Sequence, residues 1–157
     1  MKLGIFLLIG ALVLSVGCTS FQVKQLEIVN PDNRSEILVY RESALNAGGM
    51  GLIFGVNGDD YVKLRNDSYS FMYLKSGSYD LFVRSDQADQ SYTLSVDLET
   101  GEKQCFRAYP NPSNIAKAIF LGLAYYMGNT FLLEKSECMT EDELKEYRSI
   151  AVQYKNT

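Results

Sequence analysis

Histidine is absent from this sequence, and so is tryptophan. Without an imidazole there is no Ser–His or Cys–His dyad, no imidazole zinc ligand and no unperturbed side chain that titrates near neutral pH. Lys, Asp, Glu and Tyr could still carry chemistry, so enzymes are disfavoured without being excluded. Clusters of positive charge are missing too. The 15 Lys and Arg are scattered singly among 19 Asp and Glu, for a formal net charge of −4. A nucleic-acid groove needs clustered cations to displace counterions, so no nucleic-acid partner is expected. Asp59, Asp60 and Asp67 bracket one turn-rich stretch, but a hard cation needs six or more oxygens and their spacing fits no calcium loop. Turn formation accounts for them. No catalytic residue, no cofactor and no metal ligand can be assigned, and the chain is not expected to be an enzyme.

What is present begins with size. A chain of 157 residues with 46% apolar content has the length of one compact domain and enough material for a core. Lys2 opens a short basic region, residues 3–14 are apolar apart from small residues, and Ser15-Val16-Gly17 precede Cys18. This is the three-part form of a secretory signal. A spanning helix needs about 20 apolar residues, and this run is shorter, with no basic flank after it. The domain reading is a signal peptide at 1–17, an N-terminal tether at 18–34, which the resemblance described next implies is lipidated, and a β-domain at 35–152. Loss of residues 1–17 removes Lys2 alone and takes the formal net charge from −4 to −5. Fully extended, the tether would reach about 50–55 Å.

The stretch Leu14-Ser15-Val16-Gly17-Cys18 resembles the lipobox of bacterial lipoproteins, with Ser15 where Leu is commoner. The resemblance implies that the Cys18 thiol carries diacylglycerol and that the mature chain starts there, palmitate-type acyl chains holding it in the lipid membrane. One chain anchors only marginally, at about 0.8 kcal/mol per buried methylene, so two or three are needed. Thr19 after the Cys implies sorting to the cell outer membrane, facing the periplasm, where the cell has one. The alternative is a plain secreted protein.

From residue 35 onward, short β-segments alternate with turn residues. Strands are expected at 36–41, 51–57, 61–65, 69–75, 79–84, 91–99, 103–109 and 130–137, with a further short one at 21–29. Asn57-Gly58 reads as a tight hairpin, because both residues accept positive φ. Residues 91–99 alternate cleanly, Tyr92, Leu94, Val96 and Leu98 against Ser91, Thr93, Ser95, Asp97 and Glu99, as one buried and one wet face require. Thr140-Glu141-Asp142-Glu143 is a capping box leading into Leu144, Tyr147, Ile150 and Ala151, a short C-terminal amphipathic helix. The fold class is mainly β, an antiparallel β-sandwich of about seven to eight strands with that helix at the end.

Cys105 and Cys138 are an even pair in an exported domain and read as a candidate disulfide, the alternative being two buried small hydrophobes. The apolar segment 115–127, with Ile115, Phe120, Leu123 and Tyr126, is either a cover packed on the sheet or a docking surface for a membrane or an envelope protein partner. The many tyrosines at strand positions read mainly as core and rim packing, with glycan or peptide binding as the other reading.

The order of motifs also resembles a family of small bacterial lipoproteins carrying a domain of unknown function, related in pattern to PEGA-type surface β-modules. The pieces are Leu38-Val39-Tyr40-Arg41; Val56-Asn57-Gly58-x-x-Tyr61-Val62-x-Leu64; Lys75-Ser76-Gly77-Ser78-Tyr79; and Val96-Asp97-Leu98-x-x-Gly101-Glu102-Lys103 followed by Cys105-Phe106-Arg107. Asn57 stands where Asp is common, and the apolar 115–127 segment is an insert. The likeness covers residues 35–146 and implies a β-sandwich in the envelope, with no reaction to carry over. The function expected is a membrane-anchored binding or scaffolding module. The alternatives are an envelope enzyme or inhibitor using surface Asp, Lys or Tyr, and a docked subunit of a larger envelope complex.

Overall fold

The computed structural model describes residues 23–27, 29–45, 47, 49–87, 90–113 and 129–154. Residues 1–17, read above as a signal peptide, Cys18, and the four residues Ile115, Phe120, Leu123 and Tyr126 lie outside them.

Nine strands form two packed sheets among the described residues: β1 (Arg34–Arg41), β2 (Leu52–Val56), β3 (Asp59–Leu64), β4 (Ser68–Lys75), β5 (Gly77–Ser85), β6 (Ser91–Leu98), β7 (Lys103–Pro110), β8 (Phe131–Ser136) and β9 (Arg148–Ser149). One sheet has the order β8-β7-β1-β4-β9 and the other β3-β2-β5-β6. The mainly β, two-layer reading therefore holds. Two pairings, β1 with β7 and β4 with β9, are parallel, so the larger sheet is mixed. Side-chain alternation carries no information about strand direction, which is why the sequence reads as antiparallel throughout.

The core lies between the sheets. Ile37 and Val39 of β1, Met72 and Leu74 of β4, Phe106 and Ala108 of β7 and Phe131 and Leu133 of β8 meet Leu52, Phe54 and Val56 of β2, Val62 and Leu64 of β3 and Leu81 and Val83 of β5. Tyr92, Leu94 and Val96 of β6 add a half-buried rim, so the alternating strand puts its apolar set inward. Asn57 (φ 50°) and Gly58 (φ 84°) make the β2–β3 turn that the dipeptide announces.

Arg41, at the end of β1, is fully buried. Its guanidinium donates to the carbonyls of Met50 (2.7 Å), Ala47 (2.8 Å) and Leu64 (3.3 Å) and sits 4.7 Å from the Phe131 ring centroid. A buried cation is tolerated only with such compensation, and here the compensation fixes the loop between β1 and β2.

Three local expectations change at the chain ends. The capping box forms, with Thr140 and Glu143 each bonding the other's backbone, but the helix α1 (Glu141–Leu144) stops after one turn. The chain then runs extended: Arg148 N–H donates to Asp67 O (2.7 Å), Ile150 N–H to Tyr69 O (2.8 Å), and Tyr73 N–H to the Tyr154 hydroxyl (3.1 Å). The free edge of β4 pairs with this strap, and tertiary pairing wins over a helix that is marginal on its own. At the other end, residues 21, 22 and 28 of the expected strand lie outside the described residues, and residues 23–27 and 29 are not a strand; they make a single parallel bridge, Leu26 to Tyr154. They are not a loose tether either. Leu26 and Val29 are buried, and Lys24 N–H donates to Asp60 O (2.8 Å).

Candidate functional site

The outer faces of the two sheets differ in what they leave open. On the smaller sheet the outward residues of β5 are Ser78, Asp80, Phe82 and Arg84, and they stand in register with Asp97, Ser95, Thr93 and Ser91 of β6. Of these, Asp80, Phe82, Arg84, Ser91 and Thr93, with Asn57 and Gly58 of the β2–β3 turn and Asp60 of β3, enclose an open trough of about 580 Å3. A second hollow of about 390 Å3, lined by Ser78, Ser95 and Asp97 among others, shares Asn57 and Asp80 with it. The two form one polar strip along β5 and β6.

The floor is Phe82 lying over Gly55. A Cβ at Gly55 would fall 2.2 Å from Phe82 Cζ and 2.3 Å from the Asp59 carbonyl, so no side chain fits there. Several of the polar groups around the floor are held by neighbours. Arg84 donates to both oxygens of Asp60, at 2.5 Å and 3.4 Å. Asp80 accepts from the Ser95 hydroxyl at 2.7 Å, and its N–H donates to Asn57 Oδ1 at 2.9 Å. Ser78 donates to Asp97. A carboxylate has about four lone-pair sites, so Asp80 and Asp97 retain acceptor capacity toward the trough. The site presents fixed acceptors, one forked cation and hydroxyls around an apolar floor, an arrangement suited to holding a polar ligand.

The larger sheet turns the other way. Tyr69, Phe71 and Tyr73 of β4 project outward, but each is already engaged. Tyr69 meets Phe71 edge to face at 5.4 Å, Lys103 lies 5.1 Å over Phe71, and Arg34 lies 4.3 Å over Tyr73. Arg107 sits 5.3 Å from the Tyr109 centroid and pairs with Glu42 (2.8 Å) and Glu134 (3.4 Å), while Tyr40 packs against Tyr147. Cys105 and Cys138 are disulfide-bonded at the same side, with Cα atoms 5.1 Å apart and Leu38 beside Cys105 in the ladder. Burial raises the phenol pKa of Tyr61, Tyr79, Tyr109, Tyr147 and Tyr154 above the ordinary value, so these rings stay protonated and serve no base chemistry at neutral pH.

The three aspartates weighed as calcium ligands do not converge: Asp59 pairs with Lys24 and Asp60 with Arg84, while Asp67 occupies a turn at φ 51°. Among the described residues no group of three or more acidic, His or Cys side chains could hold a metal ion, and no helix is long and apolar enough to cross a membrane. The trough escapes residue-by-residue reading because four strands and a turn assemble it. Its one sequence signal is the wet face Ser91, Thr93, Ser95 and Asp97. Compared with known proteins, the chain matches no family model and no curated sequence.

Proposed function

We propose that this chain is a lipid-anchored, non-catalytic binding module of the cell envelope that holds a hydroxyl-rich ligand, a glycan strand, in the trough of its smaller sheet. The observation that carries the reading is the apolar floor of Phe82 over Gly55, surrounded by Asp60, Asp80, Arg84, Asn57 and Thr93. A sugar ring offers the same pairing of an apolar face with a rim of hydroxyls, and fixed acceptors and a guanidinium fork suit that rim. The anchor rests on the lipobox-like Leu14–Cys18 stretch, and the envelope location on that stretch and on the motif order that resembles small envelope lipoproteins. With Lys24, Leu26 and Val29 held against the domain, five residues separate Cys18 from Lys24. The leash then spans about 20 Å at most, so the domain works at the membrane face, an outer membrane facing the periplasm in a cell that has one.

Two experiments test the two halves. Cys18→Ser should abolish incorporation of labelled fatty acid; equal labelling of variant and wild type overturns the anchor. Calorimetric titration with soluble cell-wall glycan fragments should give binding that Asp80→Asn and Arg84→Ala each weaken at least tenfold. Binding that both variants leave unchanged, or no binding of any glycan, overturns the trough.

A further inference from the structure

A sheet with open edges must blunt them or pair them, and the four edges of this sandwich are treated unequally. The β3 edge is bulged where Phe54 and Gly55 meet it, and Lys24 N–H caps its Asp60 carbonyl. The β9 edge is two residues long. The β8 edge, six residues, carries Glu134 and Lys135. The β6 edge is the least blunted: Asp97 near its end is its one charge and its one capped carbonyl, and Ser91–Val96 has no charge, bulge or cap. It runs eight residues, Ser91–Leu98, with no Lys, Arg, Pro or Gly, in unbroken register with β5.

The hydrogen-bond phase decides which backbone groups that edge offers. Asn57 N–H donates to Asp80 O, and Asp80 N–H donates to Asn57 Oδ1, so the Asp80 backbone points toward β2. Alternation along β5 then directs the backbones of Tyr79, Leu81 and Val83 at their partners Val96, Leu94 and Tyr92 of β6. The N–H and C=O groups of Ser91, Thr93, Ser95 and Asp97 therefore face away from the sheet. Asp97 O is taken by Gln104 Nε2 at 2.8 Å. Among the described residues the backbone groups of Ser91, Thr93 and Ser95 have no partner, and all three residues are exposed.

We infer that β6 is a self-association edge, on which a second copy of this chain pairs antiparallel about a two-fold axis at Leu94, joining two four-stranded sheets into one of eight. In that register Thr93 lies opposite Ser95, Tyr92 opposite Val96, and Ser91 opposite Asp97. Asp97 is the one charged residue of β6, and it meets a neutral partner, so no like charges oppose. Hydroxyl–hydroxyl and aromatic–β-branched pairs are among the favourable cross-strand combinations. The axis preserves the sheet faces, so the two troughs open on the same side with their Phe82 floors three strand spacings, about 14 Å, apart.

The test is pairwise cross-linking of the full chain in detergent. Thr93→Cys protein mixed with Ser95→Cys protein should oxidise to a covalent dimer in several-fold excess over either protein alone, since position 93 faces 95 and not itself. The double variant Thr93→Lys/Ser95→Lys sets lysine opposite lysine across the axis; it should sediment as a monomer with its melting temperature retained. A wild-type protein that is monomeric under these conditions overturns the inference. So does a dimer that survives the lysine pair, or cross-linking equal in all combinations.

Discussion

The two outer faces of this sandwich teach opposite lessons about where binding capacity resides. The face of the larger sheet has the rings that draw attention in the sequence, Tyr69, Phe71, Tyr73 and Tyr109. Every one of them is covered by a cation or a neighbouring ring of its own chain, and two of those cations are in turn paired, Lys103 with Glu36 and Arg107 with Glu42 and Glu134. The face of the smaller sheet is built from Ser, Thr and Asp, residues that read as ordinary solvated surface. Their mutual bonds fix them in place and leave acceptors pointing outward. A group satisfied in all directions contributes to stability, whereas one held on one side and open on the other can hold a ligand.

The comparison breaks most completely at what both faces share. Arg41→Leu removes the donor for two loop carbonyls, Ala47 and Met50, and for that of Leu64 at the end of β3, and keeps only part of the packing volume. Leaving buried acceptors unpaired costs roughly 1–3 kcal/mol each, so a loss of about 3–5 kcal/mol is expected against a total of about 5–15 kcal/mol. Chemical denaturation of the variant should show the fall, and glycan binding should disappear with the fold. A stability within about 1 kcal/mol of wild type would mean that the guanidinium fixes nothing.

Separating the faces comes next. Cys105→Ala with Cys138→Ala opens a loop of 33 residues on the larger sheet alone. The chain-entropy argument puts the cost at about 3–4 kcal/mol. Melting should drop accordingly while glycan affinity, measured well below the new midpoint, stays within twofold. A large affinity loss there would show that the two faces are coupled. Arg84→Ala is the converse experiment. The ion pair with Asp60 is partly exposed, with side chains 24% and 18% accessible, so its removal should cost no more than about 1 kcal/mol. Binding should nevertheless fall at least tenfold, and a variant that binds normally would remove the guanidinium from the site.

How much of this was legible depends on how local its cause is. Asn57-Gly58 announces its turn because the turn needs only positive φ at those two positions. The wet and dry faces of β6 follow from period-two alternation, and the Thr140–Glu143 cap from two side chains three residues apart. What escaped is set by distant partners. The helix expected to continue through Tyr147 and Ile150 yields to the edge of β4, some 80 residues earlier in the chain. Leu26 and Val29 are buried only because the C-terminal strap and the sheets are there to cover them. The parallel β1–β7 ladder depends on the order in which strands cross between layers, which no side-chain period records. The trough combines a turn, four strands and an ion pair, and beyond the wet face of β6 none of its residues signals the others.

The smallest expected effect uses pH to separate the faces by region. Glu143 accepts from the Thr140 backbone N–H and hydroxyl, and these bonds hold its carboxyl below the ordinary value of 4.5. A group whose folded pKa is lowered stabilises the fold above its unfolded pKa, and that contribution is lost as pH falls through the folded value. The cap lies immediately before the strap that pairs Arg148 and Ile150 with Asp67 and Tyr69 at the edge of the larger sheet. Acidification from pH 6 to below the ordinary Glu range should therefore loosen the strap while β5, with no link to the cap, keeps its protection. After correction for the intrinsic pH dependence of exchange, protection of the Arg148 and Ile150 amides should fall by a small factor, while that of Leu81 and Val83 stays constant. Glu143→Gln should abolish most of the difference, because it removes the titrating group and leaves an amide that can still accept from Thr140. If the strap amides keep full protection in wild type, or if Leu81 and Val83 weaken in step with them, the cap does not hold the strap.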